Sequence, residues 1–391
     1  MASIRKRGDS YLITVSMGYD FAGKRRKPQQ KTVHPPKGLT PKQTEKWLKE
    51  QAVLFEMACK KLPADVDRSI TLEQYINIWL ETIAPNKLAK STLAREKQDI
   101  ARILPYLGHY KLVDLKPEHF RQFCADMRKV KNSKTGKPLS EATVEGLHSC
   151  LCGILSDAME GGFIAHNPAW RTYKYAGKKK EKQIADEETV QQLIKALEQE
   201  SIKYETFFKL LIATGMRRGE CCGLKWSDFD FPNRKIHIQR NVVKITGEEI
   251  IVKETKTSSG DRYVYFSSEM ESLLMEYRKN CQWETEAYDN RKLTEDDYVF
   301  RRHGLELPMT PTTFTWWFKK ILKAHGLPEN LNVHSLRHTN ASLLNAGGTD
   351  VTTVASLLGH AQPSTTLDIY SHAFDKNRKE ASQTLQSGLE I

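Results

Sequence analysis

His334, Arg337, His360 and Tyr370 lie close together near the C-terminal end of the chain, and their types suit the gripping of a phosphate that a tyrosine then attacks. His334 and Arg337 are three apart, so a helix would carry both on one face. Val333, Leu336, Asn340, Leu343 and Leu344 trace the adjoining, mostly apolar face, which would pack against a core. Asp350 reads as an N-cap, Val351, Val354, Ala355 and Leu358 repeat at helical spacing, and Gly359 offers a stop. His360 therefore emerges just past a helix end. Thr365 and Asp368 form a capping-box pattern for a further helix whose second turn presents Tyr370.

Two upstream motifs belong beside these. Thr214-Gly215-Met216-Arg217-Arg218-Gly219-Glu220 lies between helical segments and puts an arginine at a turn. Lys256 precedes Ser258, Ser259 and Gly260, so it is expected on a β-hairpin. Any one of these side chains alone would more often be a packed, capping or solvated residue; their joint occurrence makes independent structural roles a poor explanation. His338, four residues from His334, is as readily structural. Tyr263 and Tyr265 lie in a strand pattern that suits core packing better than attack on phosphorus.

The chain has 391 residues, enough for two or three domains, and its 60 Lys and Arg against 48 Asp and Glu leave a formal charge of +12. A polyanion is the natural partner. Nucleic acid is favoured over a membrane, because no apolar run approaches the ~18 residues that span a bilayer. The N-terminus shows no apolar signal core, so a cytoplasmic location is expected. Seven cysteines without a paired framework imply reduced thiols. Cys150 and Cys152 lack a matching ligand pair, which speaks against a metal site, and Cys221 and Cys222 read as core-filling thiols.

The expected architecture is multidomain α+β. Residues 1–64 read as a small β-sheet-plus-helix unit: a strand over Tyr11–Met17, a turn, a returning strand through Lys31 and Val33, and a helix capped by Thr40. Arg5, Lys6 and Arg7, and then Lys24, Arg25, Arg26 and Lys27, flank that hairpin and point to DNA contact, although short basic runs are more often solvated faces. Residues 69–172 read as an α-helical domain with an apolar stripe of Leu72, Tyr75, Ile76 and Trp79. There Lys87, Lys90, Ser91, Thr92 and Arg95 gather phosphate donors at a helix N-terminus. A basic linker follows over 173–183, and residues 184–391 mix mainly helices with three short strands, around Ile236, Ile250 and Tyr263, forming a small antiparallel sheet.

The motifs Thr214-Gly215-Met216-Arg217 with Glu220, Lys256-Thr257, His334-Ser335-Leu336-Arg337-His338, Leu358-Gly359-His360 and Tyr370 resemble, in order, the active site of the tyrosine recombinases, the phage and transposon integrases. The resemblance implies a helical core-binding domain and a mixed catalytic domain that together clamp double-stranded DNA at core sites. It further implies an N-terminal domain for separate arm sites, a homotetramer on DNA, and a bacterial, DNA-associated protein. An accessory bending or directionality protein often assists such integrases. Tyr370 follows His360 at a longer interval than many members show, a form common among conjugative transposons.

The chemistry can be argued without the family. Forked, charge-assisted bonds from Arg217 and Arg337 would hold the non-bridging oxygens, and Tyr370 would form a covalent phosphotyrosine. The resemblance implies a 3′ link that frees a 5′ hydroxyl. Lys256 is then expected as general acid and His334 as proton acceptor, with His360 bonding the phosphate and Glu220 supporting the site. Neither metal nor other cofactor is required, since the freed hydroxyl reverses the step. Competing readings are a type IB topoisomerase, and a sequence-specific DNA-binding protein without chemistry.

Overall fold

The structure is a computed structural model that describes residues 2–16, 28–36, 38, 40–60, 69–133, 135–175, 177, 184–245, 250–254, 260–302 and 304–359. Lys24 to Lys27, Lys178, Lys179, Lys180 and Lys182 of the basic linker, Lys256, His360, the Thr365 capping pattern, Tyr370 and the tail beyond it lie outside the described residues. Two compact units divide the chain, residues 1–178 and 179–391.

The first unit opens with a three-stranded antiparallel sheet in the order β1 (Ser3–Arg7), β2 (Ser10–Val15), β3 (Gln29–Val33), followed by α1 (Pro41–Lys60). Ile13 and Val33 of the sheet meet Leu48 and Ala52 of the helix in a small apolar cluster. Thr40 and Gln43 cap α1 reciprocally, the Thr40 amide donating to Gln43 Oε1 at 2.9 Å. Arg5, Lys6 and Arg7, expected only as a charged flank, form the edge strand β1 in register with Leu12, Tyr11 and Ser10. Every residue of β1 is exposed, so the strand has no apolar alternation to announce it, and its charges discourage pairing with another chain.

The rest of this unit is helical: α2 (Leu72–Thr82), α3 (Ala84–Lys87), α4 (Lys90–Leu107), α5 (Pro117–Met127) and α6 (Glu141–Glu160). Thr71 caps α2 through a reciprocal bond with Gln74, and Ser140 caps α6. Leu72, Tyr75, Ile76 and Trp79 are buried and join Ile100, Ile103, Phe120, Leu151 and Leu155 in one core. Lys87 ends α3 instead of opening α4, because the chain is extended at Leu88 before helix resumes at Lys90.

In the second unit α7 (Glu187–Leu197), α8 (Ile202–Thr214) and α9 (Arg218–Cys222) precede five short strands and then α10 (Ser268–Asp289), α11 (Pro311–Ala324), α12 (Val333–Ala346) and α13 (Val351–Leu358). Phe207, Phe208, Trp226, Phe300, Phe314 and Phe318 fill the core, with Cys221 and Cys222 as buried free thiols. Each such phenylalanine contributes about 1.5–3 kcal/mol of burial.

The strands form two sheets where one was expected. β4 (Phe229–Asp230), β5 (Lys235–Ile238) and β8 (Arg262–Tyr265) make one, while β6 (Arg240–Lys244) and β7 (Ile250–Glu254) make a separate ribbon. β7 and β8, which bracket Lys256 in sequence, are thus not paired with each other among the described residues. The inward face of β8 is also the reverse of the expectation. Arg262 and Val264 are buried, whereas Tyr263 and Tyr265 are 50% and 64% exposed. Tyr263 lies against His237 and Lys235 on the outer face of the sheet, so aromatic rings marked the wrong side.

Candidate active site

Helix α8 stops at Gly215, whose φ of 63° is left-handed. A Cβ there would stand 2.5 Å from both Asn340 Oδ1 and Leu358 Cδ2, so glycine is required by conformation and by space. The reversal delivers Arg217 to the N-cap of α9, and Glu220, three residues on, reaches back to its backbone amide. The Arg217 amide donates to Glu220 Oε2 at 2.7 Å and its Nη1 donates to Oε1 at 2.6 Å, so one carboxylate fixes both the backbone and the guanidinium. The Arg217 side chain remains 39% exposed while Glu220 is only 2% exposed.

A third party, missed in the sequence, completes this ion cluster. Arg262, buried at the start of β8, donates through Nη2 to Glu220 Oε2 at 2.9 Å. Burial works to raise the Glu220 carboxyl, but the Arg262 bond and charge, reinforced by Arg217, outweigh it and hold the group below its ordinary value. The available signal was parity: Arg262 shares the inward face with Val264, and an arginine facing a core needs an anion.

Arg337 arrives on α12, whose first turn is capped by Asn332; its Oδ1 accepts from the amides of His334 and Ser335. The side chain is 2% exposed, and its Nη1 donates to the Gly215 carbonyl at 2.9 Å. Burial first, and then the Arg217 charge, push this guanidinium down to about 9, with Glu220 pulling the other way. It is still a cation at neutral pH, and no described carboxylate forms an ion pair with it.

Three arginines converge on the end of α13. Arg262 Nε donates to the Leu357 carbonyl at 2.7 Å, Arg337 Nη2 to Leu358 at 2.6 Å and Arg217 Nη2 to Gly359 at 2.8 Å. These are C-terminal carbonyls of the kind a helix leaves without internal partners, at the negative end of its dipole. Gly359 is left-handed with a φ of 69°, and the next residue in sequence is His360.

His334 is exposed in the first turn of α12, its ring edge-on to His338 at 4.6 Å. It borders a cavity of about 490 Å³ together with Arg217, Arg218, Lys244 and Thr312. Arg217, Glu220, Arg337 and His334 are therefore brought to one region; Lys256, His360 and Tyr370 lie outside the described residues. No group of His, Cys, Asp or Glu suited to a metal occurs among the described residues, and none of their helices is long and apolar enough to cross a membrane.

In the first unit, Arg5, Lys6 and Arg7 are exposed along β1. Lys90, Ser91 and Thr92 form the first turn of α4, whose N-cap, Ala89, supplies no side-chain bond. Arg95 faces Asp99 at 3.6 Å, and Lys87 is engaged by the buried Asp157, which also accepts from Trp79 Nε1 at 2.7 Å. Lys87 and Arg95 thus each face a carboxylate on the protein.

Comparison with known proteins fits this arrangement. Residues 183–377 match the phage integrase family, and residues 71–127 match the phage integrase N-terminal SAM-like domain. A tyrosine recombinase XerC-like protein of Caldanaerobacter subterraneus is 26% identical over 343 residues, which span 81% of this chain and 83% of the relative. Among solved structures, the Tn1549 transposon integrase in complex with transposon right end DNA aligns with a TM-score of 0.66 at 22% identity, covering 80% of this chain and 99% of that one. The lambda integrase tetramer bound to a Holliday junction aligns at 0.54 and 16% identity, covering 92% and 96%; at such identities both likenesses establish a shared fold. The chain belongs to the phage integrase family, the tyrosine recombinases of site-specific DNA recombination.

Proposed function

We propose that the chain cuts and rejoins DNA with Tyr370 as nucleophile, at a phosphate gripped by Arg217 and Arg337. The tyrosine oxygen bonds to phosphorus as the bond to the 5′ oxygen breaks, leaving a 3′-phosphotyrosine. His334 takes the tyrosine proton, Lys256 supplies one to the departing oxygen, and His360 donates a hydrogen bond to the phosphate. An incoming 5′ hydroxyl runs the same steps in reverse, so strand exchange conserves the number of phosphodiester bonds.

The observation that carries this reading is an imbalance of charge. Arg217 and Arg262 pair with the carboxylate of Glu220, and the neighbouring Arg337 has no carboxylate partner among the described residues. Three positive charges less one negative leave two in excess, in a setting where water screens poorly. A phosphodiester brings one negative charge and gathers more on its non-bridging oxygens during attack, which is where preorganised donors act most strongly. The exposure of Arg217 and the cavity beside it leave the cluster open to a backbone phosphate.

Exchange between two duplexes requires four cleavages, hence four protomers; the lambda integrase structure aligned above is itself a tetramer on a Holliday junction. Residues 1–64 would engage arm sites, residues 69–172 and 184–391 core sites, and the likeness to a transposon integrase favours a mobile element as carrier. The test is covalent trapping of wild-type and Tyr370→Phe protein on nicked duplexes from DNA flanking the gene, resolved under denaturing conditions. Adducts with wild type alone would establish the nucleophile. Adducts that persist in Tyr370→Phe, or tight binding with no adduct in either, would count against the reading.

A further inference from the structure

Arg262 is buried beside Glu220, and every nitrogen of its guanidinium is engaged by protein. Nε donates to Leu357 at 2.7 Å, Nη2 to Glu220 Oε2 at 2.9 Å, and Nη1 lies 3.4 Å from both Glu220 Oε1 and the Gly260 carbonyl. With its side chain 8% exposed against 39% for Arg217, it has little surface to offer a phosphate. Its three partners are nonetheless each one step from the proposed chemistry. Glu220 orients Arg217; Leu357 belongs to the helix end that leads to His360; Gly260 closes the segment that contains Lys256.

We infer that Arg262 is a positioning residue of the recombination site, tying the C-terminal end of α13 to the carboxylate that sets Arg217. This rests on the proposed chemistry for its catalytic consequence, while the tie itself stands on geometry. Its planar fork matters, because one group must reach a helix carbonyl and both carboxylate oxygens together; a lysine at this position offers a point charge on a flexible stem. Displacing catalytic groups by as little as an ångström lowers rates by about a hundredfold. Loss of Arg262 is therefore expected to slow cleavage far more than it weakens DNA binding.

The experiment uses the full chain and has two readouts. Hydrogen exchange at the α13 amides is measured without DNA in wild type, Arg262→Gln and Arg262→Lys. Adduct formation in a single turnover, and duplex affinity, are measured for the same proteins, for Glu220→Gln and for the double variant. Arg262→Gln should exchange at least about tenfold faster at the end of α13. It should also form adduct about tenfold to a hundredfold more slowly with affinity kept within about twofold, Arg262→Lys falling between. Because both residues act through one contact, the double variant should be no slower than the slower single.

Unchanged exchange in Arg262→Gln would overturn the tie whatever happens on DNA. Rate and affinity falling in equal proportion, or losses that multiply in the double variant, would overturn the positioning role. If Arg262→Gln does not fold, Arg262→Lys carries the same comparison. Absence of adduct with wild type, alongside faster α13 exchange in the variant, would instead strike the phosphotyrosine reading and leave the tie standing.

Discussion

Arg217 and Arg337 bond to adjacent peptide carbonyls, Gly359 at 2.8 Å and Leu358 at 2.6 Å. Two guanidiniums repel, and their mutual repulsion is part of what pulls Arg337 down to about 9. The partial negative charge of a helix C-terminus lets them stand side by side. Each guanidinium has five donors. Among the described residues Arg217 uses two, to Glu220 and Gly359, and Arg337 uses two, to Gly215 and Leu358. Three donors on each guanidinium are thus left over, and under the proposed function they are the ones offered to the phosphate.

Gly215→Ala should unfold the second unit more readily. The left-handed conformation costs an ordinary residue about 1–3 kcal/mol, and the new methyl would meet Asn340 and Leu358 at 2.5 Å. Urea denaturation checks the stability, and covalent trapping should show impaired cleavage, since Arg337 holds the Gly215 carbonyl. An unchanged midpoint would refute the steric argument.

Glu220 makes stability depend on acid. Its folded value lies below the ordinary 4.5, so its contribution is complete above that pH and is lost as pH falls through the lower folded value. Glu220→Gln should be less stable at neutral pH, with a loss approaching the about 3–5 kcal/mol of a broken buried pair. It should also lack part of the acid-induced decline expected of wild type below pH 4.5. Parallel stability curves for the two proteins would contradict the role.

Lys256→Ala should cleave ordinary DNA slowly, by about 10²–10⁴-fold if proton donation is its whole part. A substrate with sulfur in place of the 5′ leaving oxygen needs no proton and should restore most of the rate. Equal slowing on both substrates would remove Lys256 as the acid.

Replacing Arg5, Lys6 and Arg7 with glutamine tests the N-terminal sheet. All three are exposed on β1, so the fold should survive. Arm-site affinity should fall, and its salt dependence should flatten by about 0.9 in log–log slope for each phosphate no longer neutralised. Core-site cleavage should be spared; matching losses at both sites would refute the separate arm domain.

Much of this arrangement could be read from the chain. Caps at Thr40 and Asp350 and the stop at Gly359 follow local rules that single residues carry, and all are present. Local rules placed Arg217 at a turn and Arg337 on a helix face, whereas Glu220 was marked by the resemblance of its motif to the tyrosine recombinases. Strand partners could not. Whether β7 pairs with β6 or β8 depends on contacts remote in sequence, and so did the facing of β8, where Tyr263 and Tyr265 lie outward. Arg262 was hidden for that reason: its importance comes from Glu220 and Leu357, both far along the chain. The ion pair of Lys87 was hidden similarly, since its partner Asp157 lies on another helix.

The grip on the end of α13 is made through carbonyl oxygens, a chemical group that every amino acid provides. Leu357 and Leu358 could therefore drift to other residues across generations without loosening Arg262 or Arg337, provided the helix and its packing persist. Only Gly359, with its left-handed φ, resists such drift on conformational grounds. Evolution would thus see strict demand on the three gripping side chains and tolerance along most of the segment they grip. Pairwise covariation, which reports side chains that change together, would be blind to this joint.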